Sequence, residues 1–129
     1  MKKTNLIGVA LTALIIAPTI ANAATLPSPV DGKITMTEDI ILDNKFLIAS
    51  DTEIILDLNG HTLTGPTINY AIDNRGTLTI MDSAETKGSI VCPASTLSYD
   101  SSCVRNYKNM EINGVTINAD WTAVKNEEK

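Results

Sequence analysis

The sequence predicts an all-β chain: a right-handed parallel β-helix of about three to four short coils. Three observations point there. Beyond the first 23 residues helical periodicity is absent, and short runs of Ile, Leu, Val and Thr alternate with Gly, Asn, Asp and Ser, the chemistry of strands and turns. A strand-and-turn pattern recurs at Leu56-Asp57-Leu58-Asn59-Gly60, Leu78-Thr79-Ile80-Met81-Asp82 and Met110-Glu111-Ile112-Asn113-Gly114, each copy followed by a hydroxyl and an aliphatic residue (Thr62-Leu63, Ser89-Ile90, Thr116-Ile117). A second pattern recurs at Ala71-Ile72-Asp73-Asn74, Cys103-Val104-Arg105-Asn106 and Ala123-Val124-Lys125-Asn126, with a looser copy at Ile41-Leu42-Asp43-Asn44. A fixed local pattern at irregular spacing describes coils of one cross-section carrying loops of different length.

The chain opens on Lys2 and Lys3, runs through 12 apolar-rich residues from Leu6 to Ala17, breaks at Pro18 and offers small residues at Ala21 and Ala23. This is the three-part form of a secretory signal peptide, residues 1–23. The run is too short for a membrane span, which needs about 20 residues. Cleavage after Ala23 leaves 106 of the 129 residues as one β-helix domain, 24–129. Loss of the two lysines leaves eight basic against fifteen acidic residues, a net charge of −7. Nucleic acid and anionic membranes are poor partners for that balance. The expected location is outside the cytoplasm: secreted, at the cell surface or in the periplasm.

The capping strand and first coil are expected within residues 30–58, from the strand-like Ile34 to Ile41, Phe46-Leu47-Ile48 and Glu53 to Leu58. Alternation then puts Leu56 and Leu58, Leu78 and Ile80, and Met110 and Ile112 on one face. No single coil can bury that face, whereas stacking joins the faces into one apolar column. In-register stacking at about 4.8 Å superposes like residues, so Asn74, Asn106 and Asn126 form a ladder at a corner, where an amide can both donate and accept. Asn59-Gly60 and Asn113-Gly114 supply a second corner. The competing β-sandwich would favour longer strands joined by two-residue hairpin turns. After Asn126 no further Leu-x-Ile strand follows. The stack is therefore expected to stop partway through a coil, as a piece of a longer protein or with its last edge covered by a partner, end-on self-association included.

Cys92 and Cys103 are expected to form a disulfide under oxidising export conditions, closing an excursion rich in Ser and Thr. No metal or cofactor is expected, since His61 is the only histidine and no Cys/His cluster occurs.

The stretch Thr52-Glu-Ile-Ile-Leu-Asp-Leu-Asn-Gly-His-Thr-Leu-Thr-Gly65, followed by Ala71 to Ile80, resembles secreted pectate-lyase-like β-helix proteins, over roughly Ile34 to Asn126. The resemblance implies the fold. It leaves the activity open, because that superfamily includes polysaccharide lyases and hydrolases, adhesins, autotransporter passengers and phage tailspikes. Lyases of the group hold calcium on stacked acidic residues; Asp57 and Glu111, read as equivalent outward positions with Thr79 between them, would stand near 10 Å apart, too far to share an ion. They read as solvated carboxylates. Arg105, in register with Asp73 and Lys125, reads as part of a charge row. The hydrolases carry Gly-His-Gly with several Asp residues; here His61 is followed by Thr62, and only Asp57 is near.

Aromatic residues in or beside loops (Tyr70, Tyr99, Tyr107, Trp121) suit sugar recognition, and Tyr99 with Asp100 marks the Cys92–Cys103 excursion as a recognition loop. The expected ligand-binding residues are Tyr99, Asp100, Tyr107 and Trp121. The expected function is a non-catalytic surface module, adhesin-like or structural, binding carbohydrate or another surface protein. The alternatives are a truncated polysaccharide lyase or hydrolase relative and a self-stacking assembly subunit.

Overall fold

The computed structural model of the 129-residue chain describes residues 23–67, 70–94 and 102–127. It is a right-handed parallel β-helix with three sheets, here A, B and C. A short strand β1 (Ala23–Ala24) precedes four coils, each built in the order B, A, C. Coil 1 holds β2 (Lys33–Thr35), β3 (Ile40–Leu42) and β4 (Phe46–Ile48). Coil 2 holds β5 (Glu53–Asp57), β6 (Thr62–Thr64) and β7 (Ile72–Asn74). Coil 3 holds β8 (Thr77–Met81), β9 (Ser89–Cys92) and β10 (Ser102–Asn106), and coil 4 holds β11 (Asn109–Asn113), β12 (Thr116–Ala119) and β13 (Thr122–Asn126). All named strand pairs are parallel.

Strands this short bury too little alone, so columns hold the stack. Sheet B contributes Ile34, Leu56, Ile80 and Ile112 in register. Sheet A contributes Ile40, Leu63, Ile90 and Ile117, and sheet C contributes Phe46, Ile72, Val104 and Val124. The central members, Leu56, Leu63, Ile72, Ile80, Ile90 and Val104, are fully buried. Each such side chain stabilises the fold by about 1.5–3 kcal/mol relative to leaving it in water. At the N-terminal end Leu26 is buried against the core, and Val30 makes an antiparallel bridge to Lys33.

One register differs from the sequence expectation. Leu56 pairs with Ile80, not Leu78, whose partner is Ile54. The two Asn-Gly-x-Thr turns nevertheless lead into strands that do align, through Thr62, Ser89 and Thr116. The corner between sheets B and A is therefore longer in coil 2 (Asp57 to His61) than in coil 4 (Asn113 to Val115). A slip of two residues keeps every side chain on its own face, so the apolar pattern does not reveal it. Asn59 (φ 47°), Gly60 (φ 82°) and Gly114 (φ 66°) occupy the left-handed region at these turns.

Nor is Ile41–Asn44 a copy of the Asn-ended element. Ile41 and Leu42 belong to sheet A, and the residue in register with Asn74 is Ile48. The column at the end of sheet C thus runs Ile48, Asn74, Asn106, Asn126. Asn74 Nδ2 donates to Asn106 Oδ1 at 2.7 Å, and Asn106 Nδ2 donates to Asn126 Oδ1 at 3.0 Å. The first rung is apolar, which is why a search for Asn misplaces that coil.

The disulfide Cys92–Cys103 ties the end of β9 to β10, with Cα atoms 5.5 Å apart. Closing a loop of this size restricts the unfolded chain and stabilises by about 2–3 kcal/mol. Reduction, or Cys103→Ser, is expected to lower the unfolding free energy by that amount in a urea titration. Equal midpoints with and without reductant would show that the cross-link constrains nothing.

Candidate functional site

Two corners of the helix carry its charged chemistry. The first joins sheets B and A. Residues 82–88 of coil 3 fold back over the corner of coil 2 there, and Asp57 is 1 % exposed beneath them. This corrects the expectation of a solvated carboxylate equivalent to Glu111. Asp57 is in register with Met81 and Thr35, whereas Glu111 pairs with Thr79 and is exposed. Asp57 Oδ1 accepts from the backbone N–H groups of Asn59 (3.0 Å) and Ser83 (2.9 Å), and Lys33 Nζ lies 2.9 Å from Oδ2. Burial pushes the Asp57 pKa up, but Lys33, Ser83 and Asn59 together outweigh it and bring it down to about 2. Asp82 works alike: Oδ1 accepts from Gly60 and Ala84 and Oδ2 from Gly88. These carboxylates satisfy turn amides. His61 stands nearest Asp39 (3.4 Å), with the His61 side chain partly exposed.

The second corner joins sheet C to sheet B. In coils 2 and 3 two residues make it, Arg75-Gly76 and Tyr107-Lys108. In coil 1 it takes four, Ala49 to Thr52, and Asp51 adopts φ 63° to turn the chain. The longer corner stands out from the stack. Between it and the corners of the next two coils lies a groove of about 330 Å³, lined by Ser50, Asp51, Arg75, Tyr107 and Lys108.

The groove continues onto the outer face of sheet C as an array of cations and rings. Lys45 Nζ lies 5.6 Å from the Tyr70 ring centre, and the Arg105 guanidinium lies 4.9 Å from Tyr70 and 5.4 Å from Tyr107. Arg75 lies 5.3 Å from Tyr107, and Arg105 also donates to the Tyr70 hydroxyl. Such contacts are each worth about 0.5–1 kcal/mol where exposed. Carboxylates knit the array together. Asp73, 1 % exposed, accepts from Lys45 (2.8 Å) and Arg75 (3.3 Å). Glu127 accepts from Arg105 (2.6 Å) and lies 3.3 Å from Lys125, while Lys108 lies 3.5 Å from Asp51. Burial alone would raise the Asp73 pKa, yet Lys45 and Arg75 hold it below the usual carboxylate range, and Asp73 in turn raises that of Arg75. Glu127 is lowered the same way, burial being outweighed by Arg105 and Lys125.

Of the ligand-binding residues expected from sequence, Tyr107 lines this groove. Trp121 lies 62 % exposed just before β13, and Tyr99 and Asp100 fall outside the described residues, as does the segment read as a signal peptide up to residue 22. The sequence did not single out Ser50, Asp51, Arg75 or Lys108. Their one signal is the extra length of the corner 49–52, visible only once Ile48 is aligned with Asn74. Among the described residues, no three His, Cys, Asp or Glu side chains are grouped so as to hold a metal ion, and no helix is long and apolar enough to cross a membrane. No protein-family profile, curated protein or solved structure matches the chain.

Proposed function

We propose that this chain is an exported, non-catalytic β-helix module of the pectate-lyase-like kind that binds carbohydrate at the groove above the 49–52 corner. The groove carries the reading: an open trough beside a tyrosine, combining donors and an acceptor on a rigid parallel stack. Its volume stands at the small end of ligand sites, the size for one or two sugar units. The state of the buried carboxylates supports a binding role over a catalytic one. A general base works best with a pKa near the working pH, and Asp57 and Asp73 are shifted the opposite way. The disulfide agrees with an oxidising location.

The test is a glycan array followed by calorimetry on the purified protein, with products analysed by mass spectrometry. The expected result is saturable binding of an oligosaccharide that is recovered intact. Recovery of shortened or unsaturated fragments would replace the binding module with an enzyme.

A further inference from the structure

The sequence holds two Asn-Gly pairs, Asn59-Gly60 and Asn113-Gly114, both at corners between sheets B and A. Such a pair has a chemistry of its own. The backbone nitrogen after an asparagine can attack the side-chain amide carbon, and a glycine there leaves the approach unhindered because it has no Cβ. Both glycines hold positive φ, 82° and 66°. Alike in sequence, the two pairs sit in opposite surroundings.

Asn59-Gly60 is locked. Residues 82–88 of coil 3 cover it, and a Cβ on Gly60 would meet Thr86 O at 2.9 Å. The attacking atom is occupied, since Gly60 N donates to Oδ1 of the buried Asp82 at 3.0 Å. A bond from an N–H to a carboxylate belongs to the stronger class of hydrogen bond. The amide under attack is tethered too, with Asn59 Nδ2 donating to Met36 O at 3.0 Å.

Asn113-Gly114 is open. Among the described residues β11 is the outermost strand of sheet B, and both Asn113 and Gly114 are exposed. A Cβ on Gly114 would meet nothing within 4 Å. Among the described residues nothing accepts a hydrogen bond from Gly114 N. Asn113 Nδ2 donates to Glu111 Oε1 at 3.0 Å, an exposed bond on its own strand.

We infer that Asn113 is a self-modifying site, converted to aspartate and isoaspartate without an enzyme, while Asn59 is preserved. Gly114 N loses its proton to water and attacks Asn113 Cγ. The new N–C bond closes a succinimide ring, the Cγ–Nδ2 bond breaks, and Nδ2 leaves as ammonia with a proton from solvent. Water then opens the ring at either carbonyl. One opening gives aspartate; the other gives isoaspartate, whose main chain runs through Cβ and is longer by that atom. In sum, asparagine and water become acid and ammonia, with no change of oxidation state. Either product sets a carboxylate where an amide donated to Glu111, so attraction becomes repulsion between like charges. That charge, and the longer main chain of isoaspartate, both fall on the corner of coil 4.

The test incubates the full chain at neutral and mildly alkaline pH, either folded or unfolded in guanidinium chloride with reductant. Peptide mass spectrometry, with fragmentation that separates aspartate from isoaspartate, follows both asparagines. In the folded chain Asn113 is expected to convert at least tenfold faster than Asn59, the factor set by freeing Gly60 N from Asp82. Conversion should quicken with pH, because the attacking nitrogen must be deprotonated. On unfolding, the two rates should come within about threefold of each other, as local protection is lost. Gly114→Ala, shown to be folded by thermal melting, should slow conversion at Asn113 at least tenfold, because its Cβ obstructs the attacking nitrogen. Equal rates at the two sites in the folded chain, conversion of Asn113 only after unfolding, or an unchanged rate in Gly114→Ala would overturn the inference. So would an Asn59 that stays slow in guanidinium, since its protection would then lie in the neighbouring sequence rather than in Asp82 and the segment above it.

Discussion

Gly76→Ala is expected to lower the unfolding free energy by about 3–5 kcal/mol, a large share of the stability of a domain this size. The reason lies in the unequal corners between sheets C and B. Gly76 sits over the four-residue corner of coil 1, where a Cβ would meet the carbonyl oxygens of Thr52 at 2.3 Å and Ala49 at 2.5 Å. Both contacts are with backbone, so no rotamer change relieves them. The same corner is fixed by hydrogen bonds from Arg75 N to Ile48 O and from Thr77 N to Thr52 O, both at 2.9 Å, and moving it breaks the register on either side. Lys108 occupies the corresponding place one coil further on, above a corner of only two residues, and carries a full side chain there. Lys108→Ala is therefore the control and should unfold within about 0.5 kcal/mol of the parent, as exposed substitutions do. A domain of this kind has only about 5–15 kcal/mol in hand. A urea midpoint for Gly76→Ala equal to that of Lys108→Ala would mean the coils are not packed this closely.

Acid should weaken the fold through Asp57. Its carboxylate, with an ordinary value of 3.8, is brought down to about 2 in the folded protein. A group whose pKa is depressed by folding stabilises the native state fully above its unfolded value, and that stabilisation is lost as pH falls towards the folded value. The contribution is on the order of 2 kcal/mol, present at neutral pH and lost between about pH 5 and pH 2. Asp73 and Glu127 are lowered as well and act in the same direction. Asp57→Asn separates them: the variant should be less stable than the parent at pH 7, with a shallower decline on acidification. Parallel stability–pH curves for the two proteins would show that Asp57 is not held by Lys33 and the turn amides.

The strand-and-turn composition and the recurrence of Leu78 and Met110 at equivalent places are enough to predict the stacked parallel coils, because period-two burial and coil spacing are local properties of the chain. The Cys92–Cys103 bridge is equally open to prediction, since an excursion between two cysteines needs no knowledge of the far side of the molecule. What the sequence hides follows from corner length. The register of Leu56 is lost because Asn59-Gly60 and Asn113-Gly114 look alike although the corners around them differ. Asp57 reads as a surface residue because nothing local announces that residues 82–88 return to cover it. The groove is the extreme case. Ser50, Arg75 and Tyr107 come from three successive coils, and only the stack brings them together.

The inner register and the outer corners respond to change in different ways. One residue inserted within a strand would turn the rest of that strand inside out, moving an aliphatic column into water. The same residue inserted at a corner meets only a closure entropy that grows slowly with length. The corners between sheets B and A already differ from coil to coil, three residues after Ile112, five after Leu56 and eight after Ile80, while Thr62, Ser89 and Thr116 remain in line. The cross-section thus behaves as a ruler that does not count what lies outside it. Such a chain can acquire new surface by lengthening a corner, without renegotiating its interior, and the raised Ala49–Thr52 segment shows how one such insertion yields a cleft.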